Sequence, residues 1–135
     1  QGHVRNTLAF SFFISTHPRA NMKGSVSYEK TTASDGTCVA ILTLTNPPVN
    51  ALSEGERVGL QDGITRASAE EDVKAVVLTG AGNAFCAGAD ISEFAGGVKG
   101  PNLPVVFGML EASSKPVVAA IDGVALGGGC EVSLG

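Results

Sequence analysis

Histidine is absent from residues 22–135, and the chain's two histidines, His3 and His17, lie near its start. Serine and cysteine nucleophiles need an adjacent base, which is commonly an imidazole. A Ser-His or Cys-His catalytic pair is therefore not expected in residues 22–135. Any acid–base chemistry there falls to carboxylates.

Cysteine is also scarce, with only Cys38, Cys86 and Cys130. Three scattered cysteines do not make a disulfide framework, and without a C-x-x-C pair no zinc or other metal site is expected. Cys86 and Cys130 are most simply interpreted as small core residues.

Charge is sparse and slightly acidic. Charged residues make up 16% of the chain, and nine Lys and Arg against thirteen Asp and Glu give a net charge of -4. No basic stripe is available for a phosphate backbone, so no nucleic-acid partner is expected. No apolar run approaches the ~20 residues of a membrane-spanning helix.

The first 21 residues differ from the rest. They carry Arg5 and Arg19, no acidic residue, and one apolar run, Leu8–Ile14. Two interpretations stay open: sequence upstream of a start at Met22, or a transit peptide, which is typically basic and acid-poor. Either way, residues 1–21 are expected to be a non-core extension, and residues 22–135 the folded part.

The remaining sequence alternates strand and helix patterns, which is typical of the α/β class. Ser53, followed three residues later by Glu56, is a capping box that predicts a helix start. Apolar, β-branched runs predict strands, and helical spacing predicts further helices. The predicted strands are 37–45, 73–79 and 116–121, and helices are expected from Ser53, over 104–113 and from Cys130.

Two glycine-rich loops, 80–90 and 122–129, each follow an apolar strand and precede a helix start. Glycine lets two backbones approach closely, and helix starts carry unpaired N–H groups. Two such loops facing each other would offer the paired donors that an oxyanion needs. Neither loop completes a dinucleotide, P-loop or nucleophile-elbow motif, and simple tight turns remain an alternative.

Glu131, directly after the second glycine loop, is the candidate general acid or base. Partial burial there would raise its pKa towards neutrality and suit it to proton transfer. The alternative is a helix-terminal Glu that only complements the helix dipole. Asp90 is interpreted as a helix cap, whereas other acidic side chains are expected to be surface charges: Glu93, Glu111 and Asp122.

Three segments resemble one family. Residues 46–52 (NPPVNAL), 85–91 (FCAGADI) and 115–131 (KPVVAAIDGVALGGGCE) are similar to the crotonase (enoyl-CoA hydratase/isomerase) superfamily. The NPPVNAL form most resembles the hydratase/isomerase domain that begins multifunctional β-oxidation enzymes of the peroxisomal type. The resemblance implies an α/β fold built as a spiral of ββα units, and an acyl-CoA thioester substrate.

The resemblance also implies roles for individual residues. The backbone N–H groups of Ala89 and Gly128 fall on the family's oxyanion hole, and Glu131 falls on its first catalytic glutamate. The resemblance implies no cofactor within this segment. It would imply NAD only if a dehydrogenase domain lies downstream. The implied substrate- or CoA-binding residues are Val49, Asn50, Ala51, Ala87, Gly88, Asp90 and Ile91.

The chain departs from the family pattern in one respect, because family hydratases use a second glutamate that would lie beyond Gly135. Residues 22–135 are therefore expected to be the N-terminal part of a domain truncated on its C-terminal side, and inactive alone. The leading expectation is an enoyl-CoA hydratase. A Δ3-Δ2-enoyl-CoA isomerase and a non-catalytic acyl-CoA-binding fragment are the alternatives. The resemblance implies a peroxisomal location, with the mitochondrion as the alternative, and leaves the oligomeric state open.

Overall fold

The computed structural model describes residues 21–134. The predicted extension, residues 1–21, lies outside this range except for Asn21, and so does Gly135. The regular elements are β1 (Ser25–Thr32), β2 (Cys38–Thr45), α1 (Glu54–Ala69), β3 (Val73–Gly80), β4 (Ala84–Cys86), α2 (Leu103–Glu111), β5 (Val117–Ala119), β6 (Val124–Ala125) and α3 (Gly128–Leu134), with a 3₁₀ turn at Ile91–Glu93 between β4 and α2.

The main sheet has the order β1-β2-β3-β5. Strands β2, β3 and β5 run parallel, and β1 pairs antiparallel with β2. The mixed α/β class is confirmed, and β2 and β3 match their predicted ranges to within one residue. Strand β1 was missed, although Val26 and Tyr28 alternate with exposed polar residues as in a half-buried strand.

A second sheet lies within what the sequence indicated as glycine loops. Strands β4 and β6 pair in parallel, with Ala84 opposite Val124 and Cys86 opposite Ala125. The interpretation of both segments as loops was therefore incomplete. Ladder pairing satisfies backbone groups that would otherwise be buried without partners, and it joins the two glycine-rich segments directly.

The core lies between the helices and the main sheet. Leu60 and Ile64 of α1 and Val106 and Leu110 of α2 are at most 4% exposed. At the end of α1, the Lys115 ammonium donates to two terminal carbonyl groups, as basic groups commonly do at a helix C-terminus. The largest fully buried apolar side chains of the remaining elements are Leu42, Leu44, Leu52, Val73, Val76, Leu78 and Phe85.

The face formed by β5, β6 and the residues beside them exposes apolar side chains. Val118, Ile121, Val124 and Leu126, on and beside β5 and β6, are each about half exposed. No element within residues 21–134 covers them. Over that same range, none of the helices combines the length and the apolar character that crossing a bilayer requires.

A buried polar cluster fixes the start of α1. The predicted capping box is present, with Ser53 as N-cap and Glu56 at the third helical position. The Glu56 carboxylate is fully buried and accepts from Ser53 N at 3.1 Å and from Asn46 Nδ2 at 3.2 Å. Its other oxygen, Oε1, has no partner among the described residues. Burial raises the pKa of Glu56 to about 7.

This buried carboxyl gives stability a pH dependence of defined sign. Between its ordinary pKa of 4.5 and about 7, Glu56 keeps in the folded state a proton that it loses on unfolding. The folded state then binds more protons, so the free energy of unfolding falls as pH rises through this interval. We expect Glu56→Gln to remove this component, on the order of 1–3 kcal/mol between pH 5 and pH 8.

Urea denaturation of both proteins at the two pH values measures the difference. Glu111→Gln, at an exposed position on α2, is the matched control and should retain the wild-type slope. Equal pH slopes in the wild type and Glu56→Gln would contradict the assignment.

Candidate functional site

The two glycine-rich segments are in backbone contact. A Cβ placed on Gly128 would lie 3.6 Å from Ala89 N, and one placed on Gly88 would lie 3.4 Å from Gly128 N. Gly88 has a φ of +104°, a conformation that side chains rarely adopt, and its Cβ would also lie 3.1 Å from Leu126 O. Glycine at position 88 therefore permits this approach.

Gly129 sets how closely α3 approaches β4. A Cβ there would lie 2.1 Å from the Cys86 carbonyl oxygen, which is backbone and cannot swing aside. The same carbonyl accepts from Leu126 N at 3.0 Å. The start of α3 is thus held against the end of β4 by a hydrogen bond and by the missing side chain.

The result is a pair of neighbouring, unengaged N–H groups. Within residues 21–134, neither Ala89 N nor Gly128 N donates to a protein acceptor. Both belong to the facing backbone segments described above. Two neighbouring N–H donors without internal partners are available to an oxygen that gains negative charge.

Glu131 lies in the first turn of α3, three residues after Gly128, and its N–H donates to Gly127 O at 3.1 Å. The expectation that its carboxylate would be partly buried was wrong, because the side chain is exposed. Helix α3 turns Gly129 and Val132 towards the interior instead. Within the described residues, Glu131 therefore stands at the edge of the site with its carboxylate in solvent.

Segment 46–52 supports the first donor. Leu52 N donates to Gly88 O at 2.7 Å, and Ala87 N donates to Val49 O at 3.0 Å. Leu52 also forms an isolated parallel bridge with Ala89. The donor loop is therefore hydrogen-bonded to this segment on both sides of Gly88.

Asn50 anchors segment 46–52 from within. It is 2% exposed and adopts a left-handed backbone conformation with a φ of +53°, which asparagine tolerates better than most residues. Its Nδ2 donates to the carbonyl oxygens of Ala81 and Ala84 at 2.9 and 2.7 Å. Its Oδ1 accepts from Asn46 N at 2.9 Å. The Asn50 side chain therefore hydrogen-bonds three backbone groups and fixes their positions.

The other residues implied to bind substrate or CoA surround the same loop with different exposure. Val49 and Ile91 are 42% and 77% exposed. Ala51 and Ala87 are half-buried, and Gly88 is buried. The structure therefore brings these residues to one region around Ala89, with Val49 and Ile91 the most accessible side chains.

Asp90 caps the 3₁₀ turn as expected. Its Oδ1 accepts from Ser92 N at 3.0 Å, and its Oδ2 pairs with Lys23 Nζ at 2.7 Å. The Lys23 ammonium and the Ser92 hydroxyl and N–H hold the pKa of Asp90 below its ordinary value. The carboxylate next to the first donor is therefore ionised and engaged with protein groups.

A cavity of about 220 Å³ opens beside Ala89. Sequence reasoning did not foresee it, because its two walls come from segments far apart in the chain. Its lining is mainly apolar, with Arg57 and Glu93 as a charged pair: Leu52, Arg57, Ala89, Asp90, Glu93, Phe94, Val98, Asn102, Leu103 and Pro104.

Glu93 is not the surface charge that was expected. It pairs with the buried Arg57 at 2.7 Å, and its other oxygen accepts from Glu54 N at 2.6 Å. Glu111 and Asp122 are exposed, in agreement with expectation. No local signal distinguishes Glu93 from them, because its burial depends on a distant helix.

The two cysteines that were predicted to be core residues differ in burial. Cys86 is fully buried, as expected, and burial raises the pKa of its thiol to about 11. Cys130 is exposed, so its interpretation as a core residue was wrong. It follows Gly129 on α3 and faces away from β4. In the described range, no group of three or more His, Cys, Asp or Glu side chains could hold a metal ion.

The sequence matches the protein family described as Enoyl-CoA hydratase/isomerase over residues 34–135. The peroxisomal bifunctional enzyme of Danio rerio is 54% identical over 96 residues, which are 71% of this chain and 13% of that protein. The peroxisomal fatty acid beta-oxidation multifunctional protein of Oryza sativa subsp. japonica is 43% identical over 122 residues, 84% of this chain and 16% of that protein. The chain therefore spans less than a fifth of the length of these relatives.

Solved structures give the same result. An enoyl-CoA hydratase from Bacillus anthracis is 36% identical with a TM-score of 0.69, covering 82% of this chain and 44% of that one. An enoyl-CoA hydratase/isomerase from Xanthobacter autotrophicus Py2 is 31% identical with a TM-score of 0.68, covering 82% and 43%. The crotonase-like fold and the resemblance are thus confirmed, and the chain belongs to the enoyl-CoA hydratase/isomerase family.

Proposed function

We propose that this chain supplies the oxyanion hole and the first catalytic carboxylate of an enoyl-CoA hydratase acting in fatty acid β-oxidation. The observation that carries the proposal is the pair of unengaged N–H groups, Ala89 and Gly128, on facing segments. Family membership supplies the substrate class, an acyl-CoA thioester.

In this mechanism the thioester carbonyl oxygen accepts from Ala89 N–H and Gly128 N–H. Water adds to C3 of the 2,3-double bond, and the electrons move towards that oxygen, giving it enolate character. The two donors favour this state over the ground state because they meet the developing charge. A proton then reaches C2, giving the 3-hydroxyacyl thioester.

Glu131 is the proposed acid–base group, and a second carboxylate would come from sequence beyond Gly135. We propose that residues 22–135 are the N-terminal part of the hydratase domain and need that sequence for turnover. The large part of the relatives' length that this chain does not span is consistent with this proposal.

The substrate's two ends would lie on opposite sides of Ala89. The apolar cavity takes the acyl part, since most of its lining is hydrocarbon. The CoA part lies along segment 49–51 and residues 87–91, where Val49 and Ile91 are exposed.

One observation favours a second candidate, a Δ3-Δ2-enoyl-CoA isomerase. Among the described residues around the two donors, Glu131 is the carboxylate left in solvent, whereas Asp90 is engaged with Lys23 and Ser92. An isomerase needs one carboxylate to move a proton between C2 and C4, and no attacking water.

The names of two curated relatives support a proposal for the cellular setting. Those reported above are named peroxisomal enzymes, so we propose a peroxisomal location for this chain, with the mitochondrion as the alternative. An NAD requirement would belong to a downstream dehydrogenase domain, and no cofactor is proposed for residues 22–135.

The direct test compares residues 22–135 with the protein encoded by the complete reading frame. Each is given a 2-enoyl-CoA and, separately, a 3-enoyl-CoA, and loss or gain of conjugated thioester absorbance is followed. We expect hydration by the longer protein and none by residues 22–135. Conversion of the 3-enoyl substrate without hydration would favour the isomerase, and thioester binding without turnover by either protein would favour a binding role.

Replacing the proposed acid–base group tests the mechanism. We expect Glu131→Gln in the complete protein to lower kcat by about 10²–10⁴, the range attributed to a positioned proton donor or acceptor. Glu111→Gln, another exposed glutamate on a helix, is the matched control and should retain wild-type kcat. Near-normal turnover by Glu131→Gln would reduce Glu131 to a dipole-complementing residue.

Displacing one donor tests the oxyanion hole. A methyl group at position 129 must push α3 away from the Cys86 carbonyl, which moves Gly128 N relative to Ala89 N. We expect Gly129→Ala to lower kcat/KM by at least about tenfold, since loss of one such donor costs about 10²–10³. Gly108→Ala on α2, where a Cβ meets no atom within 4 Å, should leave kcat/KM unchanged. Equal kinetics for the two variants would place the oxyanion hole elsewhere.

A further inference from the structure

Arg57 is a buried cation that no step of the proposed mechanism uses. It lies in the first turns of α1 and is 2% exposed. A buried guanidinium is stabilised only when its donors are paired. The hydrogen-bond partners of Arg57 therefore show which parts of the chain it connects.

The guanidinium joins three pieces of the chain. Nη1 donates to Leu52 O at 2.8 Å and to Glu93 Oε2 at 2.7 Å. Nε donates to Pro101 O, and Nη2 to Lys99 O, both at 2.7 Å. The rigid fork of an arginine can satisfy these four acceptors together, which the single ammonium of a lysine cannot do in the same geometry.

These partners form both walls of the cavity beside Ala89. Leu52 belongs to the inner wall and bridges to Ala89, the first proposed donor. Segment 93–101 forms the outer wall through Phe94 and Val98. Residues 94–100 are exposed and contain neither helix nor strand, and Arg57 and Glu93 supply side-chain hydrogen bonds that tie segment 93–101 to α1.

The cavity is small as well as apolar. Its volume of about 220 Å³ is below the roughly 300–1,000 Å³ of ordinary ligand pockets. An acyl chain in this space packs against Phe94 and Val98, so moving segment 93–101 outward enlarges the apolar space beside the donor. The position of segment 93–101 therefore limits what fits beside the donor.

We propose that Arg57 is a positioning residue that holds segment 93–101 as the outer wall of the cavity and thereby limits the length of the acyl chain accepted. This inference rests on the proposed function, because it assumes that the cavity takes the acyl part of a thioester. It assigns to Arg57 no contact with the reacting atoms.

The first readout measures the clamp without using activity. Nη2 of Arg57 binds the carbonyl of the Lys99–Gly100 peptide bond, which is a trypsin site. In the complete protein, Arg57→Lys should increase the rate of cleavage after Lys99 at least tenfold. Arg66→Lys, the same change further along α1 at a residue that contacts Glu70 and Tyr28, is the matched control and should cleave at the wild-type rate.

The second readout measures selectivity. With 2-enoyl-CoA substrates of four and eight carbons, the ratio of kcat/KM for the longer to the shorter should rise about tenfold in Arg57→Lys. The value for the four-carbon substrate should change less than threefold. A residue with a merely structural role would lower both values together and leave the ratio unchanged.

The outcomes separate this inference from the proposed function. Faster cleavage with an unchanged ratio, or no change in either readout, overturns the role of Arg57 in selectivity. Absence of turnover in the wild type overturns the proposed function and, with it, the selectivity role, whereas the cleavage rate still reports the clamp. If Arg57→Lys does not fold, Glu93→Gln, which removes the ionic partner and keeps its size, is tested against the same two expectations.

Discussion

The hydrogen bond from Leu52 N to Gly88 O is the contact on which the rest of the site depends. It fastens segment 46–52 to the loop that carries Ala89, and it places that loop where α3 can approach it. Asn50 holds the same segment from the other side by binding two backbone carbonyls. Because both ties are to backbone, side-chain changes at the surface leave them intact.

One side of the site is held by buried, hydrogen-bonded polar side chains, and the other side is exposed to solvent. On one side, buried Asn46, Asn50 and Arg57 fix loop geometry by pairing with backbone groups, which rigidifies a site. On the other side, Glu131 is in solvent and the apolar side chains beside β5 and β6 are uncovered. The donors are thus positioned more firmly than the carboxylate.

The sequence predicted those features that depend on local chemistry. Strands β2 and β3 are continuous apolar runs, Ser53 and Glu56 form their capping box within one turn, and Asp90 caps the turn that follows it. What it could not predict depends on distant contacts. Strands β4 and β6 span three and two residues, too few for a periodic signal.

The surroundings of the charged residues also depend on distant contacts. Glu93 and Glu111 each end a short helical element, yet of the two only Glu93 meets a buried arginine. Glu131 was expected to be partly buried because it starts a helix directly after the second glycine loop, but α3 turns Val132 inward instead. Tertiary packing decides which face of the short helix α3 is buried. It also decides which residue pairs with Glu93. The role proposed for Glu131 comes from family resemblance rather than from its surroundings.

Two of the ion pairs among the described residues differ in their exposure to dissolved salt. Lys30 and Asp72, at the edge of the sheet, have side chains 34% and 60% exposed, whereas Arg57 and Glu93 are 3% and 17% exposed. Counter-ions screen exposed pairs strongly and buried pairs far less. Rising ionic strength therefore weakens the Lys30–Asp72 pair before it weakens the Arg57–Glu93 pair, and the position of the outer wall of the cavity should be nearly independent of the salt around the protein.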